Sequence, residues 1–141
     1  MPRLSVVFVR AALAYLTLGV TLGALLLVHK GLGVASWTLR LLPAHLECVL
    51  FGWTVQLAFG VAFWILPRWY GRYGKTRHAW RALVLLNVGI WLVILTTALG
   101  WAPQGVLAGR ALEVAAVVAF ARHAWDRLTP PAGAPVTASA S

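Results

Sequence analysis

The sequence predicts an all-α, integral membrane four-helix bundle with both termini cytoplasmic, and three observations carry that expectation. Of 141 residues, 61% are hydrophobic and only 11% charged. Mean hydropathy is +0.82. A soluble domain carries about 25% charged residues to face water, so this surface must face something apolar. The apolar residues fall in four long runs, and the basic residues gather at the ends of those runs. The formal charge of +9 therefore reads as membrane flanking rather than as a nucleic-acid footprint.

Each run is long enough to cross a bilayer, which takes about 20 mostly apolar residues. The first, Ala11–His29, follows a basic amino-terminal segment and could resemble a signal peptide, with Gly33-Val34-Ala35 as a weak cleavage site. It is longer than the roughly 7–15 residues of a signal core, so it reads as a retained helix. The others are Pro43–Leu66, Ala82–Trp101 and Gln104–Ala124. Pro43 and Pro103 stand at helix starts, where a missing N–H is harmless, and Pro67 stands past an end. Barrel strands would show short alternating segments instead. Residues 1–128 thus form one transmembrane domain. Residues 129–141, rich in Pro, Ala, Ser and Thr, form a flexible tail.

Orientation follows from Lys and Arg. One set of ends holds Arg3, Arg10, Arg68, Arg72, Lys75, Arg77, Arg81, Arg122 and Arg127, and the other holds Lys30 and Arg40. Nine against two places the first set in the cytoplasm. Trp37 and Trp101 mark the outer interface, and Trp69, Tyr70, Tyr73, Trp80 and Trp125 the inner one. The basic, aromatic loop from Arg68 to Arg81 reads as facing anionic lipid, not nucleic acid. The chain is expected in the plasma (inner) membrane, with lipids as its surroundings.

Polar residues inside a membrane are costly and so mark function or packing. His45 opens the second run, and steps of three and four carry its face through Cys48, Gly52, Gln56, Phe59 and Phe63. A histidine above small residues suits a haem iron with the macrocycle close to the backbone. The plain alternative is an interfacial helix residue, with Gly52 and Gly60 serving helix packing. His29 ends the first run at the level of His45, either as a second ligand or as an interfacial residue beside Lys30. His78 and His123 lie among arginines and read as headgroup-facing. The single cysteine excludes an internal disulfide. Cys48 with His45 suits copper, but two ligands leave such a site incomplete, and a packed thiol is the alternative.

Arg110 and Glu113 lie three apart and well inside the fourth run. A mutual ion pair is the natural solution, with Glu47 or Asn87 nearby. It serves packing, a proton path, or contact between Arg110 and a haem propionate. Gly19 and Gly23 form a Gly-x-x-x-Gly contact face on the first run.

The segment His45-Leu46-Glu47-Cys48-Val49-Leu50-Phe51-Gly52-Trp53, with Gln56, Phe59-Gly60 and Leu66-Pro67-Arg68, resembles the second transmembrane helix of haem-copper oxidase subunit I. That family includes cytochrome c oxidases and nitric oxide reductases. The resemblance implies that the four runs correspond to the first four helices of about a dozen. It implies a respiratory-type protein in which His45 is an axial ligand of a low-spin haem b, used for electron transfer or sensing. The family's other haem and copper ligands lie on later helices that have no counterpart here, and Glu47 and Cys48 stand where the family carries apolar residues. Oxygen or nitric oxide reduction by this chain alone is not implied. A second axial ligand would come from His29, from His45 of a second copy in a homodimer, or from a partner subunit. The competing expectation is a cofactor-free accessory or assembly subunit of a larger respiratory complex.

Overall fold

The computed structural model describes residues 2–33, 36–66, 76–100 and 103–128. Trp101, the aromatic and basic residues between 68 and 75, and the tail at 129–141 lie outside the described residues. Every described element is helical, and four stretches are long and apolar enough to cross a membrane: Arg3–Leu32, Trp37–Ile65, Arg77–Ala98 and Pro103–Leu128.

The first span is a single helix, α1 (Arg3–Leu32), eight residues longer at its start than the apolar run Ala11–His29. The extra turns are held by packing: Leu4, Ser5 and Phe8 are buried against other spans. At the other end Gly33 takes the left-handed conformation (φ 65°), and its N–H closes on the His29 carbonyl at 2.9 Å. This is the usual glycine stop, which places an orphan carbonyl on a donor.

The second span is composite. A 3₁₀ turn (Ser36–Leu41) leads into α2 (Leu42–Glu47), then a π-helical stretch (Cys48–Val55), then α3 (Gln56–Ile65). Pro43 sits in the first turn of α2, as expected of a residue without a donor. In the π stretch the Thr54 hydroxyl and the Gln56 N–H each reach a carbonyl five residues back, on Val49 and Phe51. The third and fourth spans are α4 (Arg77–Ala98) and α5 (Pro103–Leu128). Thr17, Thr21, Thr96 and Thr97 donate to carbonyls four residues back, which satisfies their hydroxyls in apolar surroundings.

Packing pairs α1 with the second span and α4 with α5. The second pair crosses at Gly89 and Gly109: a Cβ on either would lie about 3 Å from the other's carbonyl oxygen. Small residues thus let two backbones meet, where apolar lipid offers no hydrophobic drive to association. Between the two pairs sit two apolar clusters. One joins Leu4, Phe8, Phe63, Ala79, Ala82, Leu83 and Phe120 at the Arg3 end. The other joins Tyr15, Cys48, Leu86, Ile90 and Ala116 deeper in. The rings of Phe59 and Phe120 stack at 4.1 Å, with Phe8 edge-on to both. Outward faces carry Leu13, Val20, Leu27, Leu50, Val84, Val88, Leu107 and Val114, all exposed and suited to lipid.

Candidate functional site

Polar groups gather at three places in the middle of the spans and toward their Lys30 end, and at a fourth near the Arg3 end. The first is His45, in the opening turns of the second span. Its Nδ1 lies 2.8 Å from the Gly19 carbonyl oxygen of α1. A carbonyl only accepts, so Nδ1 carries the proton and donates. Nε2 has no hydrogen-bond partner among the described residues. The imidazole rests against Gly23, one turn further along α1. His45 lines an open groove of about 850 Å³ between α1 and the second span, near their Lys30 and Arg40 ends, whose outer wall includes the exposed Val20, Leu27, Leu39 and Leu42. Val20, Ala24, Leu26, Leu27, Leu39 and Leu42 make its walls apolar, and His29 and Lys30 complete its lining. The Gly-x-x-x-Gly face of α1 thus receives the histidine as well as the facing helix.

The second centre is Arg110. Its Nη1 donates to Glu113 Oε2 at 2.8 Å, and its Nη2 donates to Glu47 Oε1 on the second span. The guanidinium also lies over the Phe51 ring, 5.1 Å from its centre. The expected Arg110–Glu113 pair is present, with Glu47 as its third member. Both carboxylates are buried, while 43% of the Arg110 side chain stays exposed. Two acids and one base also tie the second span to α5 across the bundle.

The third centre runs through Tyr15, Asn87 and Gln56. The Tyr15 hydroxyl donates to Asn87 Oδ1 at 2.9 Å, and Asn87 Nδ2 donates to Gln56 Oε1 at 3.2 Å. Asn87, expected near Arg110, belongs here instead. The Tyr15 ring lies over Gly52, so closely that a Cβ there would be 2.4 Å from its Cγ. The space that Gly52 leaves is therefore filled by protein. Cys48 is buried beside Tyr15, Leu86 and Ile90 rather than lining the groove with His45. Among the described residues, no group of three or more His, Cys, Asp and Glu side chains is placed to hold a metal ion.

At the Arg3 end the expectation for His123 is corrected. It is 1% exposed rather than headgroup-facing, stacked on Phe63 at 5.1 Å and tilted against Phe120. Arg127, counted among the flanking bases, is 2% exposed and turns inward. Its Nη1 donates to the Phe63 carbonyl at 2.8 Å, and its Nη2 donates to that of Leu66. Their helical phase was readable: Glu113, Ala116, Phe120, His123 and Arg127 follow at alternating steps of three and four, one inward face. His78 is half-buried at the start of α4.

Comparison with family models, curated proteins and solved structures finds no match to this chain.

Proposed function

We propose that the chain is a respiratory-type haem-binding protein of the inner (plasma) membrane, in which His45 ligates haem b iron for electron transfer or sensing. One observation carries the reading. His45 donates a hydrogen bond from Nδ1 to the Gly19 carbonyl, which leaves Nε2 for another partner, and the residue lines an open apolar groove. Axial histidines are held in this way: the second ring nitrogen donates to a fixed acceptor, which sets the tautomer and the ring plane. The resemblance to subunit I points to the same residue independently.

The residues present fit the group. The groove of about 850 Å³ is within the usual size range of ligand pockets and its walls are apolar, and its open side faces outward from the bundle. His29 lines it with His45 and is the candidate second ligand within one chain. Lys30, which also lines it, would offer a cation to a propionate. Gly52 and Arg110 do not line this groove; Tyr15 covers the one, and Glu47 and Glu113 engage the other. Bound haem would supply a one-electron couple or a ligand-sensitive iron, and the protein holds it in place. Membrane lipids, a second copy or a larger respiratory complex surround the bundle in this reading, with both termini cytoplasmic.

The test is a visible spectrum of protein purified from haem-replete cells. Haem absorption bands are expected in the wild type and absent in His45→Ala, with helical content retained in both. Wild-type protein without such bands, or bands untouched by His45→Ala, would remove the haem role and leave a cofactor-free accessory subunit.

A further inference from the structure

We infer that Gly23 is a positioning residue for His45: its missing side chain fixes the imidazole plane and so decides which ring nitrogen reaches the groove. Gly19 and Gly23 are one turn apart on α1, about 6 Å along the axis, and face the second span together. Their surroundings differ. A Cβ on Gly19 would meet Val49 Cγ2 at 2.7 Å and Cys48 Cβ at 3.4 Å, so Gly19 sets the approach of the two helices. A Cβ on Gly23 would meet the His45 ring alone among its three nearest atoms: Cε1 at 2.8 Å, Nδ1 at 3.2 Å and Nε2 at 3.6 Å. Contact below 3 Å forces something to shift, and the imidazole is the group that can swing. Swinging moves Nδ1 off the Gly19 carbonyl, the acceptor that fixes its proton. One glycine thus supplies the oxygen that selects the tautomer, and the other supplies the room that keeps the ring upon it.

For haem the consequence rests on the reading of His45 as a ligand; the claim about the ring does not. Loss of a hydrogen bond that orients a metal-bound histidine weakens metal binding by roughly 10–100-fold. Gly23→Ala is expected to weaken haem affinity within that range and to shift the reduction potential.

The deciding measurement uses haem-free protein labelled with ¹⁵N at histidine, with His45 assigned by its loss in His45→Gln. The wild type should show a protonated Nδ1 and an unprotonated Nε2 at His45. Gly23→Ala should lose that pattern, and Gly31→Ala, whose added Cβ has no neighbour within 4 Å, should keep it. If Gly23→Ala fails to fold, the double variant Gly23→Ala with His45→Ala should fold, because the ring is the obstacle; a defect that persists overturns the inference. A wild-type His45 protonated at Nε2 alone, or a Gly23→Ala spectrum like the wild type, overturns it as well. Absence of haem bands with the expected ¹⁵N pattern would instead remove the haem reading and leave the role of Gly23 standing.

Discussion

Arg127, in the last turn of α5, donates to the carbonyl of Phe63, in the last turn of α3, at 2.8 Å. A second donation goes to Leu66, and the guanidinium lies over the Phe63 ring at 5.3 Å. The last carbonyls of any helix have no partner within it, and their partial negative charge favours a cation. Here the cation comes from another span, so the cap is also a tether. Arg127→Met should leave the buried Phe63 carbonyl and the half-buried Leu66 carbonyl without these donors and destabilise the bundle by about 1–3 kcal/mol. Arg127→Lys, a point charge without the planar fork, should recover part of the loss. Thermal melts in one detergent would measure both. A melt of Arg127→Met that matches the wild type would show that the cap contributes nothing.

Arg110 holds two carboxylates, and that arrangement predicts a specific failure of additivity. Arg110→Met strands Glu47 and Glu113, both buried. Removing one partner of a buried pair costs about 3–5 kcal/mol, and the 43% exposure of Arg110 puts this case at the lower end. Arg110→Met with Glu113→Leu and Glu47→Leu removes all three charges and should be less destabilised than Arg110→Met alone. Urea or thermal unfolding of the singles, pairs and triple would read the coupling. Additive losses would mean the three groups do not interact.

How much of this was readable follows from which forces are local. The four spans were, because crossing a bilayer demands about 20 consecutive apolar residues whatever else the chain does. The Arg110–Glu113 pair was, because three-residue spacing on a helix is local geometry. The added turns at Arg3–Arg10 were not: those residues are apolar and polar in mixture, and what holds them is burial of Leu4, Ser5 and Phe8 against distant spans. The π stretch at Cys48–Val55 carries no proline or other local marker, and its Gly52 meets Tyr15 of another helix. His45 was singled out by its position; its acceptor on Gly19 and its seat on Gly23 depend on how α1 crosses it. His123 was misassigned by its charged neighbours, although its helical phase pointed inward.

Gly52 gives a prediction about the core. Its Cβ position lies 2.4–2.7 Å from three atoms of Tyr15, which is too close for any side chain. Gly52→Ala should push the Tyr15 ring aside and break its hydroxyl's bond to Asn87, leaving a half-buried amide oxygen without that donor. Overpacking of this kind costs typically 1–3 kcal/mol. Adding Tyr15→Ala should restore room at position 52, so the two losses should not add. An additive double variant would show that the contact with Tyr15 is not what resists the methyl group.

The side of the membrane on which each end lies is set by the basic residues, and the structure changes their weighting. Nine basic residues gather at one set of ends and two at the other. Arg127 is spent on the carbonyls of Phe63 and Leu66 rather than on the membrane surface, so its claim as a flanking charge is weak. Eight against two remain (nine less one), still far beyond balance for short connections. Both termini and the 66–76 connection are therefore expected in the cytoplasm, with the connections near Gly33 and Ala102 outside. The His45 groove, beside Lys30 and Arg40, would then lie toward the outer face. Alkaline phosphatase fused after Gly33 or Ala102 should be active, and fused after Lys75 or Arg127 inactive, with a cytoplasm-active reporter giving the reverse. Cytoplasmic readings at Gly33 and Ala102 together would invert the bundle. A cytoplasmic reading at Gly33 alone would mean that α1 does not cross, and the four-span arrangement would fall.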